Sequence, residues 1–338
     1  MERLFSLGSV AIIGMGKNTG KTSFLNLLLK EAGKRHPEKV MAVTSIGRDG
    51  EERDLVTGTE KPRIYVLEGT LVATSEELLS KCDVTKEILE ITGIRSSLGR
   101  VVIFRALSDG FVEIAGPSRG SDLAHIEKTV KSIEKNCLFI VDGALSRMSF
   151  SSKTDGAVLC TGASISHSQQ QIYEKTMHAL SFLMLRKTDK ELPEGLGRAH
   201  LKNSEEWTEV KGDIALSIGS EISGQIKEST SAIYIRGAVT DRLIRDFLSS
   251  RHFRNLALIA GDGTQYLMSI ETLEKLNARG IRLEAENEIQ LKMLMVNPFD
   301  PNGGETNLRD LMVKLRNELD IPVYSLAELK GEKGNDVF

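Results

Sequence analysis

The sequence predicts an α/β protein with a mostly parallel sheet, helices on both of its faces, and a second, smaller α/β domain. Three observations carry this. Short β-branched runs alternate with longer amphipathic segments, the pattern of parallel strands with helices outside. The chain has 338 residues, long for one core and suited to two domains of ordinary size. The stretch Lys187–Trp207 loses apolar period and collects charge, proline and glycine, so it reads as a linker.

In chain order, the first half offers strands at Val10–Ile13, Val40–Ser45, Arg63–Leu67, Val101–Ala106, Phe111–Ala115, Leu138–Val141 and Ala157–Thr161. Helices are expected at Thr22–Lys34, Ser75–Cys82, Ser121–Lys135 and Ser168–Arg186. Val101–Ala106 and Phe111–Ala115 are joined across Ser-Asp-Gly, which reads as an antiparallel hairpin. Beyond the linker, strands are expected at Ile233–Arg236, Leu256–Ala260, Ile281–Ala285, Leu291–Val296 and Pro322–Ser325. Helices at Asp241–Leu248, Ile270–Arg279 and Leu308–Leu319 lie between them. The expected division is residues 1–190, a linker over 191–207, a second domain over 208–330, and a loose tail over 331–338.

Apolar residues make up 40% of the chain and charged residues 27%, the balance of a soluble globular protein. The net charge of −3 argues against nucleic acid or an anionic membrane as partner. Cys82, Cys137 and Cys160 are widely spaced, without a CxxC pair, which fits a reducing compartment. The apolar start MERLFSLGSVAIIGMG has no small-residue cleavage site, so no signal peptide is expected. No run reaches the roughly 18 apolar residues that span a bilayer. A cytoplasmic location is expected.

The strongest chemical signal is VAIIGMGKNTGKTSFLNLLL. A buried strand ends at Ile13, a glycine-rich turn runs from Gly14 to Gly20, and Lys21-Thr22 open an amphipathic helix. Strand, glycine turn and helix together are the context of a phosphate-binding P-loop. The turn lets backbone N–H groups converge on an anion, and the helix N-terminus adds free donors. Gly14, Gly16, Lys17, Asn18, Thr19, Gly20, Lys21, Thr22 and Ser23 are therefore the expected nucleotide-binding residues. Lys21 would neutralise the β- and γ-phosphates, acting also as a catalytic residue, and Thr22 would ligate Mg²⁺. The strict G-x-x-x-x-G-K-T pattern wants glycine at position 15, where this chain has Met15 between Gly14 and Gly16.

Such a loop needs an acid on a neighbouring strand for Mg²⁺. Leu138-Phe139-Ile140-Val141-Asp142-Gly143-Ala144 supplies Asp142 as the expected metal ligand. A second acidic candidate, Asp49, lies in Thr44-Ser45-Ile46-Gly47-Arg48-Asp49-Gly50. Asp49 would hold Mg²⁺ or position water, and Arg48 would reach a phosphate or an acidic substrate; a plain polar loop is the other reading.

Gly14–Ser23 with the later Val-Asp-Gly-Ala run resembles the P-loop group that includes dethiobiotin synthetase and the molybdopterin-guanine dinucleotide biosynthesis adaptor. The resemblance covers little more than the first domain. It implies a P-loop NTPase-like fold, Lys21 and Thr22 at phosphate and metal, and Asp142 at metal. TSIGRDG does not match the substrate-binding lysine that the synthetase carries after its second strand. Across the whole chain, FRALSDGFVEIAGPS and LMVNPFDPNG are similar to accessory proteins proposed to reactivate lysine 5,6-aminomutase. That implies a protein partner, a cobalamin enzyme.

Ser152-Lys153-Thr154-Asp155 has the outline of the guanine-reading NKxD motif, but that motif follows a strand and this run precedes one. The six histidines show no metal spacing. Gly261-Asp262-Gly263-Thr264 and Asn297-Pro298-Phe299-Asp300-Pro301 border the expected carboxyl edge of the second sheet, where turn chemistry is the simpler account. The expected function is Mg²⁺-dependent binding and hydrolysis of ATP, or of GTP, in an accessory or switch role on a partner protein. A ligase activating a small carboxylate with ATP is the rival, and a nucleotide-holding module without turnover is a third reading.

Overall fold

The computed structural model describes residues 1–46, 63–144, 151–193, 197–210, 218–300 and 303–331. The chain divides into two compact units, Met1–Thr176 with Gln290–Phe338, and Met177–Ile289.

In the first unit the strands are β1 (Ser9–Gly14), β2 (Val40–Ser45), β3 (Ile64–Val66), β4 (Leu71–Ser75), β5 (Lys86–Ser96), β6 (Gly99–Ala106), β7 (Gly110–Val112), β8 (Cys137–Ala144) and β9 (Gly156–Gly162). Its helices begin with α1 (Glu2–Phe5), α2 (Lys21–Arg35), α3 (Gly120–Ile133) and α4 (Gln169–Leu183), the last extending past the division. Between α4 and the end of the second unit come β10 (Ala199–Asn203), β11 (Glu206–Glu209), α5 (Ile218–Gln225), β12 (Thr230–Ile235), β13 (Val239–Thr240), α6 (Asp241–Leu248), β14 (Ala257–Ala260), β15 (Tyr266–Leu267), α7 (Ile270–Ala278) and β16 (Arg282–Ala285). The chain then returns with β17 (Leu291–Asn297), α8 (Arg309–Glu318), β18 (Val323–Ser325) and α9 (Leu326–Lys330).

Among the described residues the large sheet has nine strands in the order β18-β17-β9-β1-β8-β2-β4-β6-β5. Every pairing from β18 across to β4 is parallel, and the β4–β6 and β6–β5 pairings are antiparallel. Parallel strands are buried on both faces, so they read as continuous apolar runs; every residue of β1 and of β9 is buried. Phe24, Leu25, Leu28, Leu29 and Ala32 recur at helical spacing on α2 and are buried. They join Val10, Ile12, Leu138, Ile140, Val158 and Cys160 in one apolar cluster on one face of the sheet. The second unit has its own sheet, β11-β10-β12-β14-β16, with β12, β14 and β16 parallel. Its core holds Ile222, Ile244, Phe247, Phe253 and Leu258. Among the described residues no helix is long and apolar enough to cross a membrane.

Several expectations need correction. Leu291–Val296 and Pro322–Ser325 do not belong to the second unit, because β17 pairs with β9 in the large sheet and β18 pairs with β17. Part of the expected linker is sheet: Ala199–Asn203 and Glu206–Glu209 form an antiparallel pair, and β10 pairs in turn with β12. Lys190 is pinned by Glu284 at 3.0 Å, both side chains mostly buried. The hairpin expected from Val101–Ala106 and Phe111–Ala115 is absent among the described residues. β6 pairs instead with β4 and β5, while β7 pairs with β3. Hydroxyls take over where that ladder would have run: Thr74 Oγ1 donates to Glu113 O at 2.9 Å, and Ser75 Oγ donates to Ala115 O at 2.7 Å. The helix expected at Ser75–Cys82 is a short 3₁₀ segment, Glu76–Lys81.

Residues 1–190 cut from the rest would lose β17 and leave β9 as an open, fully apolar edge, a template for aggregation. Expressed alone, this fragment is expected to aggregate or bind a hydrophobic dye without a cooperative melt. A sharp melt at the full-length midpoint would contradict the return of β17 and β18 as part of the core.

Candidate functional site

β1 leads through α2 to β2, on the β8 side of the sheet, whereas the next strand of this sheet after β9 is β17, on the other side. Connections diverging in this way open a crevice at the carboxyl ends of the strands, the usual ligand site of open α/β sheets. The glycine loop of β1 lies at that crevice.

Met15 N donates to Cys160 O at 3.0 Å, so the β1–β9 ladder continues one residue into the turn. Thr19, 1% exposed, donates its hydroxyl to Gly16 O at 3.0 Å. Two left-handed residues then reverse the chain, Asn18 at φ 58° and Gly20 at φ 83°. Gly20 is the N-cap of α2 and Phe24 N donates to its carbonyl at 2.8 Å. No side chain caps this end of the helix, and its first turn has no acidic residue. It opens on Lys21, a cation at the positive end of a helix dipole, which is unfavourable unless an anion is bound there. Lys21 folds back over the loop: a Cβ placed on Gly14 would lie 2.5 Å from its Cδ and 2.8 Å from its Nζ. A side chain at position 14 would push the ammonium away from the end of β1. Gly20 has a reason beyond its left-handed φ, since a Cβ there would meet Asn297 Cβ and Cγ at 3.0 Å. The contact is with a distant asparagine, not only with an approaching phosphate.

Asp142 lies within β8 rather than beyond its end. The ladder runs on through Asp142 to Gly14↔Ala144, and Ile46 N donates to Asp142 O at 3.0 Å. Asp142 is in register with Ile12 on one side and Ser45 on the other. Side chains alternate across a strand, so Asp142 continues the face set by Leu138 and Ile140, which α2 covers. Lys21 and Asp142 both act on the thiol of Cys160, in the same face of β9. Burial pushes that thiol up strongly, Lys21 draws it down, and Asp142 raises it. The structure thus brings Lys21 and Asp142 to one face of one sheet edge. Thr22 and Ser23 stand beside Lys21 in the first turn of α2, both partly buried. Arg48 and Asp49 lie outside the described residues.

Asp155, of the run with the NKxD outline, has a structural task at the opposite end of the sheet. Its Oδ2 accepts from Gly8 N at 2.9 Å and Ser9 N at 3.0 Å, anchoring the start of β1. The residue that the sequence reading missed is Asn297. It closes β17, is 5% exposed, and donates Nδ2–H to Asn18 O at 3.1 Å. Its signal was a strand ending in Asn-Pro, which was assigned to the wrong sheet. In the second unit, a cavity of about 410 Å³ is lined by Arg198, Arg236, Arg242 and Asp246.

Comparison with known proteins gives no match: no family model, no curated protein and no solved structure is similar to this chain.

Two outcomes test the geometry. Gly20→Ala puts a side chain at a left-handed position, a strain of about 1–2 kcal/mol, and presses on Asn297. Urea denaturation is expected to show at least that loss, and an unchanged midpoint would contradict the packing. The thiols of Cys82, Cys137 and Cys160 are all raised by burial, so the native state keeps protons that the unfolded chain releases above about pH 8.5. Their contribution is complete below that pH and is lost as pH rises toward the native values. Cys160→Ala is expected to flatten the alkaline fall in stability by up to ~1.4 kcal/mol per pH unit; an unaltered slope would refute it.

Proposed function

We propose that this chain has a P-loop NTPase-like fold, binds a nucleoside triphosphate with Mg²⁺ on Gly14–Ser23, and hydrolyses it. The single observation that carries the reading is Lys21 folded back over Gly14 at the end of a buried parallel strand. An uncapped helix that opens on lysine favours an anion at its N-terminus. The backbone N–H groups of the loop and the Lys21 ammonium would hold the β- and γ-phosphates. Thr22 and Asp142 would hold Mg²⁺, which needs only one or two protein ligands when phosphates and water complete its shell. That donor set fits: a hydroxyl and a carboxylate, with no His or Cys. When bound, the ion neutralises charge on the phosphates. In hydrolysis a water oxygen bonds to the γ-phosphorus as the bond to the β-bridging oxygen breaks, releasing diphosphate nucleotide and inorganic phosphate. Lys21 would stabilise the charge carried by the transferring group. Asp49 keeps its place in the proposal as the residue that orients the attacking water.

The role proposed for this turnover is that of an accessory or switch protein acting on a protein partner. Its support is the similarity of FRALSDGFVEIAGPS and LMVNPFDPNG to accessory proteins of lysine 5,6-aminomutase, which points to a cobalamin enzyme as that partner. Each segment reaches the strand ends near the loop through one or two residues. Ala115 and Gly116 of the first are bonded to Ser75 and Ser45 at the ends of β4 and β2. Asn297 of the second is bonded to Asn18 of the loop.

Lys21→Ala is expected to weaken triphosphate binding by about 100-fold, the loss of charged hydrogen bonds of a few kcal/mol, with the fold intact by circular dichroism. Unchanged calorimetric affinity for both ATP and GTP would overturn the reading. Asp142→Asn keeps the shape without the charge, so it is expected to spare much of the nucleotide affinity and to raise the Mg²⁺ concentration needed for half-maximal hydrolysis. A parental Mg²⁺ titration would move the metal ligand elsewhere.

A further inference from the structure

The second unit has a parallel sheet edge of its own. Its strands β12, β14 and β16 run the same way, and sheets of this kind bind ligands outside the carboxyl ends of their strands. At the end of β12 lies the cavity of about 410 Å³, within the roughly 300–1,000 Å³ of small-molecule sites. Among the described residues its lining sets Arg198, Arg236 and Arg242 against one acid, Asp246, an excess of two positive charges.

Two of these arginines are placed at a cost. β10 and β12 are antiparallel, with Ala199 opposite Ile235. The ladder runs one residue further, Arg236 N donating to Arg198 O at 2.8 Å, so the two arginines stand directly opposite each other. Like charges in that relation destabilise a sheet, and an anion beside them removes the penalty. Arg236 is also held in advance. Its Nη2 donates to Pro193 O at 3.2 Å, and its guanidinium lies over the Tyr234 ring, 5.5 Å from the centroid. A group ordered before the ligand arrives loses little freedom on binding. The next residue, Gly237, has φ 137°, and a Cβ on it would meet nothing within 4 Å. The backbone turns there beside open space. The cavity also has an apolar wall: Ala199, Ile222 and Ile235 line it and belong to the buried core of the unit.

We propose that this cavity binds a small organic phosphate, a phosphomonoester carried on an apolar body. A carboxylate brings one charge and two oxygens, which a single guanidinium satisfies. A phosphomonoester brings close to two charges near pH 7 and three acceptor oxygens, which matches two opposed guanidinium groups and the excess of two charges. Arginine suits this better than lysine, because its planar fork meets phosphate oxygens in pairs. Thr240 adds a donor. Its hydroxyl caps α6 by accepting from Leu243 N, which leaves its own hydrogen for a ligand oxygen. The apolar body covers Ile222 and Ile235. This site is separate from any nucleotide on Gly14–Ser23 and does not depend on one.

The test uses the full-length chain carrying Lys21→Ala, so that the loop of β1 has lost its cation. Calorimetry follows three probes: phenyl phosphate, inorganic phosphate and phenylacetate. Phenyl phosphate is expected to bind, and Arg198→Gln and Arg236→Gln are each expected to weaken it at least tenfold, the value of one charged hydrogen bond. Inorganic phosphate leaves the apolar wall bare and is expected to bind at least tenfold weaker than phenyl phosphate. Phenylacetate keeps the ring but brings half the charge, and the same loss is expected. Without ligand, Arg198→Gln removes one of two opposed charges, so its melting temperature is expected to stay level or rise. An arginine with a merely structural task would lower it. That lowering, phenyl phosphate affinity unmoved by both substitutions, or phenylacetate bound as tightly as phenyl phosphate would overturn the proposal. Binding present in the parent and absent in Lys21→Ala would place the anion on the loop of β1, overturning the second-unit site and supporting the first. Absence of phenyl phosphate binding in both chains would overturn it as well.

Discussion

β1 is the constraint on which the site depends. It is buried on every residue and paired on both sides, with β8 and β9, so the chain leaving it has one exit, at the carboxyl edge. There the backbone has to reverse into α2 within a few residues. Asn18 and Gly20 do this with positive φ. The same reversal leaves α2 uncapped with a lysine in its first turn. A loop built this way gathers glycine backbone and the Lys21 side chain at one place, the feature on which the proposed phosphate site rests.

The two flanks of β1 then acquire different chemistry. On the β8 side the nearest polar group on the α2 face is the Asp142 carboxylate, in register with Ser45. On the β9 side the neighbour is Cys160, whose thiol is held protonated by burial, and beyond it Asn297. An acid on one flank and a neutral amide on the other give the edge a polarity. Directionality of this kind comes from strand order alone, because any other order would separate these side chains.

Much of this was legible locally. The helix at Asp241–Leu248 has the bounds expected of it, and its N-cap Thr240 accepts from Leu243 N as threonine caps do. β1, β2, β9 and α2 were visible because an apolar run or an amphipathic period identifies a buried strand or a half-buried helix without tertiary information. β5 was not, for a physical reason. It is an edge strand carrying Lys86, Glu87, Glu90 and Arg95, with Ile88 and Ile91 about half exposed. Such charged edges resist aggregation, and they look like loops in sequence. β4 escaped because it is short and buries Thr74 and Ser75, whose hydroxyls donate to the carbonyls of Glu113 and Ala115. The charge in Lys187–Trp207 misled in the same way, since Lys190 is consumed by Glu284 some 94 residues away.

The site shows where local reading stops. Lys21 could be found because the loop, its glycines and the helix it opens are contiguous, and the electrostatic argument needs only the neighbours of one residue. Asn297 could not, because its bond to Asn18 spans 279 positions. Continuous apolar runs such as Leu291–Val296 say that a strand is buried in a parallel sheet but not which sheet, and sequence proximity favours the nearer one. The chain instead inserts Met177–Ile289 and then returns to the large sheet. Once β17 stands beside β9, the Asn-Pro that reads as a strand-end turn of another sheet is brought to the loop of β1, where Asn297 bonds Asn18. Gly162 is then explained as well: a Cβ on it would collide with the Asn297 backbone, a contact that exists only because of the return.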